Sequence, residues 1–178
     1  MRPILPVALS PLSDFPPSPI EAFLISCAGE WIALRSQFAS ITPSQEAEPS
    51  QEAEAWHDSE RGEIKVEYLA PATSEAPGGL RVTAPGANVT TLTFLAEGQA
   101  LIVASSQETA SGTWHFWPNG ILELDCPAED GKVRERIWFA KPNLRLRSSL
   151  AHRADGEPGL ASFSTEIRRV SRPPAEAP

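Results

Sequence analysis

The sequence has only two cysteines and three histidines, and this scarcity excludes several classes of protein. Cys27 and Cys126 cannot form a disulfide framework, and neither stands in a CxxC pair or near a histidine at the spacing of zinc ligands. We therefore expect a reducing, cytoplasmic location and no metal site. Both thiols are predicted to be structural, Cys27 on the apolar stripe of a helix and Cys126 in a turn before Pro127.

Long apolar runs and an excess of basic residues are also missing. No stretch approaches the roughly 18 to 20 uninterrupted apolar residues that span a bilayer, and the proline-broken start over residues 1–12 lacks the form of a signal peptide. The formal net charge is −8, whereas proteins that bind duplex nucleic acid gain most of their affinity from Lys and Arg. We expect a soluble protein with no membrane span and no nucleic-acid partner.

Proline and glycine mark the organisation of the 178 residues, which suffice for one core. Residues 1–17 are predicted to be a disordered, proline-rich N-terminus, and residues 172–178 a similar tail. The folded domain is predicted over 18–171. Within it the hexad PSQEAE occurs twice over 43–54, which predicts an acidic low-complexity loop at 41–60.

One helix and about ten strands are predicted. Ser18 and Pro19 form a helix start, with a hydroxyl to cap and a proline at the first helical position. The helix runs to about Ala28, and its apolar positions have the spacing of a stripe lying on a core: Ile20, Phe23, Leu24 and Cys27. Apolar runs with a period of two predict strands at about 31–40, 63–69, 80–84, 89–95, 100–106, 112–117, 120–125, 133–140, 144–151 and 160–170.

This pattern predicts an all-β fold, an antiparallel barrel of about ten strands with one N-terminal helix, because closure removes the exposed edges of an open sheet. The clearest hairpin joins 114–117 to 121–124, where Asn119-Gly120 supplies the positive φ values of a tight turn. Trp114 and Trp117 fall on opposite faces, so at most one of them points inward.

The ends of the predicted barrel resemble those of lipocalins. Gly29-Glu30-Trp31 stands where a first strand begins, and Arg168 and Arg169 stand near the end of the last. In such barrels a Trp closes one end and an Arg of the last strand packs over it. We expect this pair to close the barrel and to have no role in ligand chemistry.

Two C-terminal segments carry a more specific resemblance. The runs ERIWFAKPNLRLRS at 135–148 and ASFSTEIR at 161–168 resemble the last strands of the S-type phycobiliprotein lyases of cyanobacteria, and Arg35, four residues after Trp31, matches the opening strand of that family. Residues 36–39 read SQFA where many members have TSHH. A role of that histidine pair is therefore absent here.

The resemblance implies a barrel like those of lipocalins and fatty-acid-binding proteins. It implies an enzyme that binds a bilin, phycocyanobilin or phycoerythrobilin, as a substrate rather than as a prosthetic group. The bilin would then be joined by a carbon–sulfur bond to a cysteine of a phycobiliprotein subunit. The family also suggests a homodimer or a pairing with a related lyase subunit. The alternative is a carrier or assembly protein that holds a bilin or another acidic lipophile without transferring it.

A bilin has two propionates and a flat conjugated body, which require cationic and aromatic groups. Arg145 and Arg147 lie two apart on one strand, so they share a face and could clamp the propionates. Glu166 could bond pyrrole N–H groups and favour the protonated pigment. The resemblance thus implies Glu166 and Arg145 as catalytic residues. It implies four further ligand-binding residues: Arg147, Trp138, Glu135 and Ser164.

Periodicity alone favours a different arrangement of these strands. The charged groups would then form a ladder on a solvated face, and the alternate positions Leu144, Leu146, Phe163 and Ile167 would fill the core. Trp138 fits a ring-stacking wall and a simple core position equally well. Only the resemblance favours a ligand-facing role for the Arg–Glu group.

Overall fold

The computed structural model describes residues 15–38, 57–96, 99–106 and 108–170, without the side chains of residues 57 and 58. In chain order, α1 covers Ile20–Cys27, followed by β1 (Gly29–Phe38), β2 (His57–Leu69), β3 (Gly78–Thr83), β4 (Val89–Phe94), β5 (Ala100–Ser105), β6 (Thr109–Phe116), β7 (Leu122–Ala128), β8 (Gly131–Lys141), β9 (Leu144–His152) and β10 (Pro158–Arg168). A short 3-10 turn covers Pro85–Ala87. Within the described ranges, no helix has the length and apolarity needed to cross a membrane.

The ten strands form one closed antiparallel barrel in which each strand pairs with its neighbours in the chain. Closure comes from β1, which pairs with β10 from Trp31 opposite Arg168 to Phe38 opposite Ala161. The predicted fold class and all ten predicted strands are confirmed, although the strand ends differ by a few residues. The strands were predictable because period-two alternation is the pattern of a sheet with one face buried.

Helix α1 lies against the barrel interior through the predicted stripe. Phe23, Leu24 and Cys27 are fully buried, and Ile20 packs against them. The predicted capping was wrong: the helix begins at Ile20, Pro19 is the N-cap, and Ser18 makes no capping hydrogen bond. The fixed φ of proline suits the first helical turn, but the stripe itself needs no residue before Ile20.

The predicted hairpin between β6 and β7 is confirmed, with one difference in its turn. The Trp117 N–H donates to the Ile121 carbonyl over 2.8 Å, and Gly120 has a φ of +81°, whereas Asn119 is not in the left-handed region. Trp114 is buried and Trp117 is 42 % exposed, as expected for opposite faces. Cys126 lies within β7 and pairs with Val133, so its predicted turn position was wrong.

Several sequence predictions concern segments at the edge of the described structure. Residues 1–14, the hexads at 43–54 and the tail at 172–178 lie outside the described residues. The predicted acidic loop at 41–60 was too long at its end, because β2 begins at His57. Residues 57–62 of β2 pair with residues 33–38, the C-terminal half of β1.

Candidate functional site

The interior of the barrel has an apolar part and a charged part. The apolar part is a cluster that includes Phe23, Leu24, Trp31, Phe94, Leu101, Trp114, Leu122 and Leu124. Among the described residues, the buried polar or charged side chains are Arg145, Ser164 and Glu166. A buried charge costs several kcal/mol unless it is paired, and a buried hydroxyl also needs a partner, so two charges and a hydroxyl together mark a site rather than ordinary core.

Alternation along the last strands brings these groups together. Arg145 stands opposite Glu166 and Arg147 opposite Ser164 in the β9–β10 ladder, and all four side chains are on the inner face. Phe163 and Ile167 are instead 39 % and 49 % exposed. The alternative arrangement, a solvated ladder of charges with these apolar side chains in the core, was therefore wrong.

Arg145 and Glu166 form a buried ion pair. The Arg145 Nε donates to the Glu166 Oε2 over 2.5 Å, and both side chains are 1 % exposed. The Arg145 Nη1 also donates to the Cys27 carbonyl over 3.5 Å. Burial raises the pKa of the Cys27 thiol, although Arg145 opposes the effect, so the thiol next to the pair is neutral.

Arg147 joins the pair to a second carboxylate. Its Nε lies 3.1 Å from the Glu135 Oε1 and 3.6 Å from the Glu166 Oε1. Burial lowers the pKa of Arg147, but the carboxylates of Glu135 and Glu166 outweigh burial and raise it overall. The four charges balance, and Arg147 remains a cation at any physiological pH.

The hydrogen-bonding capacity of this group is not used up. Within the described structure, the Arg145 Nη2, the Arg147 Nε and the Glu166 Oε1 are buried without a hydrogen-bond partner. The Arg147 N–H is not aligned with the Glu135 oxygen at 3.1 Å, and the Glu166 oxygen at 3.6 Å is beyond hydrogen-bond distance. Buried polar atoms without partners are costly, so the Arg147 Nε and the Glu166 Oε1, whose side chains line the cavity described next, suit a polar ligand that supplies those partners.

A cavity of about 180 Å³ lies against these residues. Four of the predicted site residues line it: Glu135, Arg147, Ser164 and Glu166. Arg145 is not part of the lining, because it lies behind Glu166 and next to α1. The structure therefore does not support the expectation that Arg145 itself clamps a propionate.

Other lining residues were missed by the sequence analysis. Arg35 and Glu60 are on β1 and β2, and the rest of the wall is formed by small and aliphatic groups that include Gly62, Ile64, Val82 and Pro85. Arg35 has the same parity as the buried Trp31 and Ala33 on β1, which was a usable signal. Glu60 had none, because it belongs to the segment interpreted as loop.

Trp138 does not reach the cavity. It lies on the outer face of β8, where its ring contacts Phe163 with centroids 6.2 Å apart. The predicted ligand-binding role of Trp138 inside the barrel was therefore wrong, as was a place in the inner core. Among the described lining residues of the cavity there is no aromatic side chain, so flat faces of a ligand meet aliphatic groups there.

The predicted closing pair at the other end of the barrel is present. The Arg168 guanidinium lies 4.2 Å from the centroid of the Trp31 ring, within the range of a cation–π contact. Its Nη2 donates to the Ser26 carbonyl over 2.5 Å, and its Nη1 donates to the Ala28 carbonyl. The pair thus joins the first strand, the last strand and the end of α1.

Comparison with known proteins gives concordant results. Residues 95–169 match the model of the family described as CpeS-like protein. The chain is 40% identical to Chromophore lyase CpcS/CpeS 1 of Paulinella chromatophora over 89% of this chain and 92% of that protein. It is 43% identical to Chromophore lyase CpcS/CpeS 2 of Synechococcus sp. (strain JA-3-3Ab), over 36% of this chain and 34% of that protein.

A solved structure supports the fold. The S-type phycobiliprotein lyase CPES from Guillardia theta superposes with a TM-score of 0.62 at 23% identity, covering 86% of this chain and 94% of that one. The similarity to the Paulinella protein extends over nearly the whole of both chains, and the family model covers all of β8, β9 and β10. The chain therefore belongs to the CpcS/CpeS family of chromophore lyases.

Proposed function

We propose that this protein binds a bilin without covalent attachment and promotes its thioether attachment to a cysteine of a phycobiliprotein subunit. Family membership supports the reaction class, and the names of the relatives support the pigment and its acceptor. The observation that carries the proposal is a fully buried carboxylate, Glu166, on the wall of an internal cavity. One of its oxygens accepts a hydrogen bond from Arg145, and the other, 3.6 Å from the Arg147 Nε, accepts none within the described structure.

The Glu166 Oε1, which accepts no hydrogen bond from the described residues, is the acceptor for pyrrole N–H groups. Because a carboxylate in a site with little water stabilises a nearby cation, it favours the protonated, cationic tetrapyrrole. Protonation withdraws electrons from the exocyclic double bond of ring A. The partner thiolate then adds to that double bond: a C–S bond forms, the π electron pair moves into the pigment, and a proton is taken up at the adjacent carbon. Nothing leaves, and no oxidant or reductant is required.

The other site residues have separate roles in this proposal. Arg147 lines the cavity as a permanent cation and binds a propionate, while Glu135 at 3.1 Å holds the guanidinium when no ligand is present. The hydroxyl of Ser164, which lies opposite Arg147 in the ladder, donates a hydrogen bond to the same propionate. Arg145 lies behind Glu166 and does not line the cavity, and its ion pair fixes the orientation of the Glu166 carboxylate.

The size of the cavity indicates how the pigment is presented. Cavities that enclose a drug-sized ligand measure about 300 to 1,000 Å³, whereas the internal cavity here measures about 180 Å³. A tetrapyrrole would therefore insert only part of its length and extend past Arg35 and Pro85 at the cavity wall. A pigment held in this way leaves one end available to the cysteine of a partner protein.

The test has a binding stage and a transfer stage. The purified protein is mixed with phycocyanobilin or phycoerythrobilin and the visible spectrum is recorded, and an apo-phycobiliprotein subunit is then added. We expect a red-shifted bound pigment, followed by a covalent product that fluoresces with zinc. Binding without transfer would instead establish a carrier, and an unchanged spectrum with both bilins would refute the proposal.

Two neighbouring substitutions test the role of Glu166. Glu166→Gln keeps the shape but removes the charge, so the protonation midpoint of the bound bilin should fall by about 1–3 pH units. Transfer should also slow more than affinity declines. Ile167→Gln changes the next residue of β10, which is 49 % exposed on the outer face, and should leave both values unchanged. Equal behaviour of the two variants would contradict the assignment.

Three further parts of the proposal concern the choice of bilin, association with another subunit and cellular location. The acceptance of phycocyanobilin or phycoerythrobilin is decided by the two-pigment comparison above. Association with a second copy or a related lyase subunit is checked by sedimentation of the protein alone and of mixtures. A cytoplasmic location agrees with the free state of Cys27 and Cys126, and microscopy of a tagged chain tests it.

A further inference from the structure

The indole ring of Trp31 contacts two guanidinium groups, not one. The Cζ of Arg168 lies 4.2 Å from the ring centroid, and the Cζ of Arg145 lies 4.5 Å from it. Both distances are within the range of a cation–π attraction. The closing residue of the barrel is thus in direct contact with the buried ion pair of the proposed site.

The same indole shares an acceptor with Arg145. Its Nε1 donates to the Cys27 carbonyl over 2.9 Å, and the Arg145 Nη1 donates to that carbonyl over 3.5 Å. The last carbonyls of a helix have no partner within the helix, so these donors also complete the end of α1. The end of α1 and the Trp31 ring together form the surface on which the Arg145 guanidinium rests.

This surface limits the freedom of a long side chain. An arginine loses considerable rotamer entropy when it is held in one geometry. Arg145 is held at three points: the Trp31 ring, the Cys27 carbonyl and, through Nε, the Glu166 Oε2. If the first two contacts weaken, the third loosens as well, and the Glu166 carboxylate can turn away from the cavity.

We propose that Trp31 is a positioning residue for the reaction, which acts through Arg145 on the carboxylate of Glu166. This inference rests on the proposed function, because Glu166 matters only if it faces a bound bilin. Trp31 then closes the barrel with Arg168 and also supports the Arg145–Glu166 pair. Trp31 itself does not touch the ligand in this proposal.

The test uses two matched variants. Trp31→Phe keeps an aromatic ring but removes the bond to the Cys27 carbonyl and weakens the attraction to Arg145. Trp114→Phe is the control, because Trp114 is also buried and also donates its Nε1 to a backbone carbonyl, that of Leu95, over 3.0 Å. Trp114 packs on Phe94 rather than on an arginine.

The first readout needs no pigment. Exchange of the Arg145 Nε–H with solvent, followed by ¹⁵N NMR, should be slow in the parent protein and at least about tenfold faster in Trp31→Phe, because a held donor opens rarely. Trp114→Phe should exchange like the parent. If Trp31→Phe does not fold, Trp31→Tyr is measured in its place. An unchanged Arg145 signal in the folded variant would overturn the inference.

The second readout uses bound bilin. Trp31→Phe should bind pigment nearly as well as the parent protein, but the protonation midpoint should fall by about one pH unit, a tenfold change in the protonation equilibrium. Transfer at saturating pigment should slow to a similar degree, and Trp114→Phe should change neither. If the parent binds and transfers but Trp31→Phe behaves like the control, this inference fails alone. If the parent binds no bilin, the proposed function itself fails.

Discussion

The Arg145–Glu166 pair gives a quantitative test of how the barrel tolerates charge in its interior. Both side chains are 1 % exposed, with 2.5 Å between the Arg145 Nε and the Glu166 Oε2. Removing one partner of a buried pair leaves an uncompensated charge and typically costs about 3–5 kcal/mol of the free energy of unfolding. Replacing both partners by apolar groups of similar volume is often neutral or stabilising.

We therefore expect Glu166→Leu and Arg145→Met each to lower the free energy of unfolding by about 3–5 kcal/mol. The double variant should be more stable than either single variant. The resulting coupling energy is about 3 kcal/mol or more. Urea unfolding followed by circular dichroism measures all four proteins, and a domain with about 5–15 kcal/mol of stability leaves the single variants folded enough to measure.

A second ion pair in the same protein provides the control. Arg134 and Asp125 form two hydrogen bonds of 2.9 and 3.0 Å on the outer face, with side chains 38% and 28% exposed. Because water screens such a pair, its coupling energy should be only about 0.2–1 kcal/mol. If the two cycles give equal coupling energies, or if the double variant is no more stable than the single ones, the interior pair is solvated and our reasoning about the site is refuted.

Three further predictions concern stability. Burial raises the pKa of the Cys27 thiol above its ordinary value of 9.0, so the folded protein holds the thiol proton more strongly than the unfolded chain does. The free energy of unfolding should therefore fall as the pH rises above about 9. Urea unfolding between pH 8 and 10.5 should show a smaller fall for Cys27→Ala. A Cβ at Gly62 would lie 2.6 Å from the Pro85 Cγ, so Gly62→Ala should cost about 1–3 kcal/mol, and adding Pro85→Gly should recover most of it in the same assay. Deleting residues 43–54 should leave the melting temperature nearly unchanged, because the length of a loop has only a small entropic cost. Loss of folded protein on deletion would show that the hexads pack on the barrel.

The fold was predictable because the strand alternation, the helical stripe and the closing contact all indicate the same structure. Alternation with period two marks all ten strands, and the helical stripe from Ile20 to Cys27 marks the single described helix. The closing contact of Trp31 with Arg168 follows from strand order alone once the barrel is assumed. The start of β2 was not predictable, since residues 57–62 read HDSERG and contain no apolar side chain that could alternate with polar ones.

The site was only partly predictable, because alternation divides a strand into two faces without showing which face is buried. On β9 one face carries Arg145 and Arg147 and the other Leu144 and Leu146, and hydrophobicity favours the wrong one. In a barrel that binds a polar ligand, the charged face of a strand can point inward and the apolar face outward. The resemblance favoured this orientation, and the exposed Ile167 on β10 confirms it.

Parity also shows why Trp138 was assigned wrongly. Glu135 and Trp138 are three residues apart on β8, so they lie on opposite faces and cannot both line the cavity unless a bulge separates them. The irregularity in the β8–β9 ladder comes later, between Phe139 and Lys141. Choosing Glu135 as an inner residue therefore already excluded Trp138, and the same rule applied to β1 places Arg35 inside. What no rule of parity reveals is that the Trp31 ring lies under Arg145, because that contact depends on how α1 ends against the closed barrel.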